Sequence, residues 1–176
     1  AKSRSSIFFS AGFDIICTSE SEITIQKIAK IMQKGSKDFS SVGKIFFKNK
    51  FGKIIDNSHF GEICWDLDKL PIPAWDLLPN ERYWKISRPH GGHIKPGVEL
   101  KYASMMTSRG CPFKCSYCHI AQETEDSISG AIGRFRIKSD ERVRKELGIL
   151  KNEIGAKQIY IEDDSIFGMK RRAIRL

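Results

Sequence analysis

Two rhythms of apolar and polar positions run along the chain, and each assigns elements. IFFSAGFDIIC, residues 7–17, is an apolar run broken by Ser-Ala-Gly and reads as strand material. Behind it Ile23, Ile28, Ile31 and Met32 recur at helical spacing. Ser19 and Glu22 stand as a capping box for that helix, and Gly35 sits where a left-handed residue closes one. KIFFKNKFGKIID then predicts a hairpin, because two short β-rich runs flank the turn chemistry of residues 49–52. In DLDKLPIPAWDLLP, residues 66–79, Pro71, Pro73 and Pro79 remove backbone donors and forbid a regular helix or a central strand. That stretch is predicted to be a linker or domain boundary. RPHGGHIKPG, residues 88–97, carries His90 and His93 around two glycines and reads as a loop rather than a metal site, since no further ligand stands near them.

Periodicity resumes at YASMMTS, residues 102–108, a buried strand by composition. Residues 140–154 follow as a helix, with Val143, Leu147, Leu150 and Ile154 on one face, Asp140 and Glu141 at the positive end, and Gly155 at the stop. Gln158–Glu162 is the next strand. Strand, loop, helix, strand is a βαβ unit, which implies a parallel sheet. A parallel sheet needs more than two members and cover on both faces. Residues 170–176 look like the start of another crossover helix, so the sequence is expected to be a fragment truncated at both ends.

Composition narrows the class. Thirty Lys and Arg against 21 Asp and Glu give a net charge of +9 over 176 residues, 40% of them hydrophobic, enough for a real core. The basic residues are spread out, with concentrations at 134–145 and 170–175 that are not interleaved with aromatics as a single-strand nucleic-acid surface would be. Nucleic acid is therefore not expected as a partner, nor is a membrane span, since no apolar run approaches the roughly 18 residues that one needs. With no signal-peptide layout at the amino end, the expected location is cytoplasmic.

The chemistry sits in SRGCPFKCSYCHI, residues 108–120, where Cys111, Cys115 and Cys118 form CxxxCxxC. Of the five cysteines, Cys17 and Cys64 stand apart and read as ordinary small core residues. Three thiols on one short loop suit a single metal centre better than a disulfide framework. Zinc would want a fourth ligand, and His119 lies directly beside Cys118, where both would struggle to reach one tetrahedral ion. An iron–sulfur cubane held by three thiolates leaves one iron open to a ligand that is not protein.

On these residues, with Tyr117 immediately before the third cysteine, the chain resembles the radical S-adenosylmethionine superfamily. The resemblance implies that Cys111, Cys115 and Cys118 hold a [4Fe-4S] cluster whose fourth iron is chelated by the amino and carboxylate groups of S-adenosylmethionine. It implies reductive cleavage of that cofactor to a 5′-deoxyadenosyl radical that abstracts a substrate hydrogen. The backbone at Tyr117 would lie against the adenine. Glu162 and Asp163, with Asp164, end the second strand, where the superfamily binds the methionine ammonium group. This chain has IEDD in place of the glycine-glycine-glutamate pattern, and Asp164 serves equally well as a turn-forming or helix-capping acid.

Upstream, DIICTSESEITIQKIAKIMQKG, a hairpin and DLDKLPIPAWDLLP together resemble the cobalamin-binding branch of the superfamily. The fold class so implied is α/β. Residues 1–65 would be the C-terminal remnant of a Rossmann-like, cobalamin-type domain, residues 66–101 a Pro-rich interdomain linker, and residues 102–176 the first two βα units of a partial (βα)6 barrel. The branch's Gly-Glu-x-Glu is replaced by Ser19, Glu20, Ser21 and Glu22, and its DxHxxG motif is absent. No residue is therefore carried over as a cobalamin ligand, and cobalamin is left as an open cofactor of a full-length protein. The function implied is that of a radical enzyme, of methyltransferase or cyclase type, inactive as this piece alone. Its implied partners are a small-molecule substrate and a reduced flavodoxin or ferredoxin-type electron donor. Two alternatives stand beside it. One is a zinc-dependent nucleic-acid module using the three cysteines and His119 with the basic segment 134–145. The other is a scaffold whose cluster is structural, with Cys64 as its fourth ligand.

Overall fold

The computed structural model describes residues 5–86 and 100–169. The histidine loop at 88–97 and the expected helix start at 170–176 lie outside the described residues. In chain order the elements are α1 (Ser5–Ser10), β1 (Ile15–Cys17), α2 (Glu22–Gln33), β2 (Ile45–Lys48), β3 (Ile54–Asp56), α3 (Asn80–Ile86), β4 (Tyr102–Met105), β5 (Ser108–Arg109), α4 (His119–Gln122), β6 (Arg136–Ile137), α5 (Asp140–Asn152) and β7 (Gln158–Ile161). Short 3-10 turns at Leu67–Lys69, Trp75–Leu77 and Ile166–Met169 complete them. The fold is α/β, and no helix among the described residues is long and apolar enough to cross a membrane.

The chain divides into two compact units, residues 1–65 with 111–135 and residues 66–110 with 136–176. In the first, β1, β2 and β3 form an antiparallel sheet, with Ile15 opposite Phe47 and Phe47 opposite Ile55. The predicted hairpin is its β2–β3 pair. Asn49 fixes the turn, its side-chain oxygen accepting from the backbone N–H groups of Phe51 and Lys53, each at 3.0 Å. Phe39, Val42, Ile45 and Phe47 are buried against Ile28 and Ile31 of α2. A Rossmann-like sheet is parallel, so this antiparallel sheet lends the Rossmann-like reading of residues 1–65 no support of its own.

Two local expectations for this unit are corrected. Residues 5–10 are helix rather than strand, with Phe9 buried and the strand confined to Ile15–Cys17. An apolar run this short has no periodicity long enough to choose between the two. The capping box also fails. Helix α2 begins after Ser21 with no side-chain cap, and the Ser19 hydroxyl donates instead to the Ser129 carbonyl at 2.5 Å.

In the second unit β4 and β7 pair in parallel, Tyr102 opposite Gln158 through Met105 opposite Ile161, with α5 between them in sequence. That is the βαβ unit expected. Ser139 caps α5, its hydroxyl accepting from the Arg142 N–H at 3.0 Å, and Gly155 takes φ +79° beyond the other end. Ala103 and Met105 of β4 pack with Val143 and Leu150 of α5, with Trp75 and with Ala156.

The apolar face of α5 also holds Glu146, fully buried. Its carboxylate accepts from Lys138 Nζ and Arg142 Nε, both at 2.6 Å. Arg142 in turn donates through Nη1 to the carbonyls of Asp68 (3.1 Å) and Leu70 (2.9 Å). Asp68 Oδ1 accepts from the Ser139 N–H at 2.9 Å. The Pro-rich stretch is thus clasped to the first turns of α5. Burial works against the Asp68 charge, but the Ser139 hydrogen bonds and the nearby Arg142 and Lys138 outweigh it and hold the carboxyl below its ordinary value. Arg136 and Lys138, in the basic segment singled out above, are buried, so part of its charge faces inward rather than toward phosphate.

Candidate functional site: the cysteine loop and the strand-end acids

The loop that carries the three cysteines belongs to the first unit. Cys111, Cys115 and Cys118 are half-buried, and none of the five cysteines is in a disulfide. The loop is fixed where it starts, the Cys111 N–H donating to the Gly133 carbonyl at 3.1 Å. It turns tightly before it ends, the Cys118 N–H donating to the Cys115 carbonyl at 3.1 Å, and Cys118 then serves as the N-cap of α4.

Gly133 explains why this anchor tolerates no side chain. A Cβ there would lie 2.1 Å from the Ile120 carbonyl oxygen and 2.9 Å from that of Glu123. The backbone of residue 133 therefore lies directly against α4 and its end, while its own carbonyl holds the first cysteine. Behind α4 the segment closes on itself. The Ser127 hydroxyl lies 2.7 Å from the Thr124 carbonyl, and the Ser129 hydroxyl donates to the Glu123 carboxylate.

Phe113 and Tyr117 both project from the loop, 57% and 91% exposed. His119 is exposed at the first position of α4. Among the described residues no three His, Cys, Asp or Glu side chains converge closely enough to hold one metal ion. The donor chemistry is that of three free thiols on one loop with no fourth cysteine on it. Such a set suits a four-iron cluster with one open corner better than a closed zinc site, which takes four ligands.

The strand-end acids belong to the second unit. The Glu162 N–H continues the β4–β7 ladder by donating to the Met105 carbonyl at 2.9 Å. Its carboxylate accepts from the Ser104 hydroxyl at 3.1 Å. Asp163 is used differently. Its Oδ1 accepts from the Thr107 N–H at 2.6 Å and the Ser108 N–H at 3.0 Å, and its Oδ2 from the Thr107 hydroxyl at 2.5 Å. Both oxygens are thus engaged with the chain just beyond β4, whereas Asp164 is exposed. Sequence reasoning treated the three acids as one group. The geometry separates them, and only the short spacing from Met105 to Ser108 hinted that a turn there would need an acceptor.

This unit also holds a cavity that the sequence does not reveal. About 310 Å³ in volume, it is lined by Trp75, Met105, Ser108, Arg109, Lys138 and Glu162 among others. The Ser108 side chain is almost wholly buried, and among the described residues its hydroxyl has no hydrogen-bond partner.

No model of a known protein family matches the chain. It is 34% identical over 162 residues to the uncharacterized methyltransferase PH0819 of Pyrococcus horikoshii, an alignment that covers 92% of this chain and 30% of that protein. It is 30% identical over 101 residues to cytidylyl-2-hydroxyethylphosphonate methyltransferase of Streptomyces wedmorensis, covering 57% of this chain and 17% of that one. Among solved structures its fold is similar to OxsB, a cobalamin-dependent S-adenosylmethionine radical enzyme seen with aqua-cobalamin and S-adenosylmethionine bound. That likeness has a TM-score of 0.64 at 21% identity, over 94% of this chain and 20% of OxsB. TsrM of Kitasatospora setae, a radical S-adenosylmethionine methyltransferase seen with cobalamin and a [4Fe-4S] cluster, matches with a TM-score of 0.57 at 14% identity, over 97% of this chain and 30% of TsrM. The chain thus spans less than a third of the length of each of these proteins, and what it shares with the two solved structures is their fold.

Proposed function

We propose that this chain is part of a radical S-adenosylmethionine enzyme that transfers a methyl group. The observation that carries the reading is the loop of three free thiols, pinned at Cys111 and turned at Cys118. Supporting it are the methyltransferase names of the sequence relatives and the fold shared with two radical enzymes.

Cys111, Cys115 and Cys118 would hold a [4Fe-4S] cluster as thiolates, each giving up its proton on loading. When bound, such a cluster supplies the electron that opens the sulfonium of S-adenosylmethionine. Glu162, just beyond β7, would be the carboxylate that takes the ammonium group of the cofactor. Asp163, assigned to the same task from sequence, braces the Thr107–Ser108 backbone with both of its oxygens. The backbone at Tyr117 is the adenine contact in this reading. Gly133 excludes a side chain where the loop begins, which keeps the first thiol in place before any cofactor arrives.

In the same reading β4 and β7 are the first two strands of a partial barrel beginning at residue 102, behind a linker over 66–101 and the remnant of a Rossmann-like domain over 1–65. A small-molecule substrate, a flavodoxin or ferredoxin-type electron donor, cobalamin held elsewhere in a longer protein, and a cytoplasmic location complete the proposal. Its test is anaerobic loading of the protein with iron and sulfide. A brown protein whose absorption bleaches on reduction and shifts on addition of S-adenosylmethionine is expected. A colourless protein that retains one zinc would overturn the reading.

A further inference from the structure

Burying a hydroxyl without a partner is costly, and proteins rarely leave one so unless something else completes it. Ser108 is 1% exposed and its Oγ has no partner among the described residues, yet it lines the cavity at the end of β4. The lining of that cavity carries both signs of charge. Glu162 brings an anion and Arg109 a cation, Lys138 is held by the buried Glu146 carboxylate at 2.6 Å, and Trp75 and Met105 supply apolar wall. A lining with both signs and an unpaired hydroxyl suits a zwitterion with a short apolar stem. Its volume of about 310 Å³ lies at the bottom of the range for small-molecule sites, roughly 300–1,000 Å³, so it takes one end of a cofactor rather than the whole.

We infer that Ser108 is a binding residue for the amino-acid end of S-adenosylmethionine, its hydroxyl donating to the carboxylate of that end beside Glu162. Asp163 is the positioning residue behind it. By accepting from the N–H groups of Thr107 and Ser108, and from the Thr107 hydroxyl, it fixes the backbone that aims the Ser108 side chain. Sequence gave no sign of this role, since serine after a strand is ordinary. The inference rests on the function proposed above and assigns one more residue to the same site.

The test is Ser108→Ala. It removes an oxygen that bonds to none of the described residues, so the thermal midpoint of the unloaded protein is expected to stay or rise. In the cluster-loaded protein, equilibrium dialysis should show S-adenosylmethionine bound roughly ten- to a hundredfold more weakly, the worth of one hydrogen bond to a charged acceptor. Binding of 5′-methylthioadenosine, which lacks the amino-acid end, should not change. Equal loss for both ligands, or no loss for S-adenosylmethionine, overturns the role of Ser108 and leaves the functional proposal standing. If the loaded wild-type protein does not bind S-adenosylmethionine, the functional proposal fails and the inference fails with it.

Discussion

Replacing Glu146 with alanine should cost this protein more than any other single change on α5. The carboxylate is fully buried, while the side chains of Lys138 and Arg142 that reach it are 11% and 12% exposed. Removing it takes from two nearly buried cations the carboxylate that both of them reach at 2.6 Å. Arg142 keeps the Asp68 and Leu70 carbonyls, which are dipoles, and the Asp68 carboxylate near both cations is only a partial substitute for the lost anion. Breaking a buried pair from one side costs about 3–5 kcal/mol, and the slight exposure of both cations places this case near the lower end, about 3 kcal/mol. Urea unfolding reads it directly. With a denaturant slope of about 2 kcal/mol per molar for a protein of this size, the midpoint should fall by about 1.5 M. Removing a cation as well should relieve part of the penalty, so the double variant Glu146→Leu with Lys138→Met is expected to be more stable than Glu146→Ala alone. A midpoint within about 0.3 M of wild type for Glu146→Ala, or a double variant less stable than the single one, would refute the claim that this network clasps the Pro-rich stretch to the helix.

Other expectations are read with similar assays. Gly133→Ala should disturb the loop, because its Cβ meets two carbonyl oxygens that cannot move far; a cluster content well below that of wild type after reconstitution checks it, and full loading would count against the anchor. Asp163→Ala should lower stability by about 2–4 kcal/mol, since the acceptor of two backbone N–H groups at nearly inaccessible residues is lost, while Asp163→Asn should lose less because it keeps one acceptor oxygen. The folded-state pKa of Asp68 is lowered, so its contribution to stability is complete above the ordinary value of 3.8 and disappears as pH falls through the lower folded value. Stability measured in that acid window should therefore depend less on pH in Asp68→Asn than in wild type, and identical profiles would contradict the assignment.

Much of the second unit was legible because local signals agreed. Helix α5 has a serine cap, acids in its first turn and an apolar stripe, and it runs over Asp140–Asn152 against an expectation of 140–154. The parallel pairing of β4 with β7 followed from the helix between them. What stayed hidden depends on tertiary packing. Nothing in its helical period marks Glu146 as buried, and the one clue is Arg142 a turn earlier. Leu67 and Trp75 are buried in 3-10 turns inside a stretch whose prolines announced only irregularity. At the site, the cysteine spacing put three thiols on one short loop, which the structure shows free of disulfides. The division of labour between Glu162 and Asp163, and the unpaired hydroxyl of Ser108, arise only when β4 and β7 lie side by side.

The most direct measurement of the central claim is the Mössbauer spectrum of protein loaded with 57Fe and sulfide under nitrogen, recorded with and without S-adenosylmethionine. A cubane held by Cys111, Cys115 and Cys118 alone should show one iron in four changing its signal when the cofactor is added, with cluster loading lost in alanine variants of these cysteines. Four irons that do not respond to the cofactor, or loading that survives removal of the three thiols, would contradict the account.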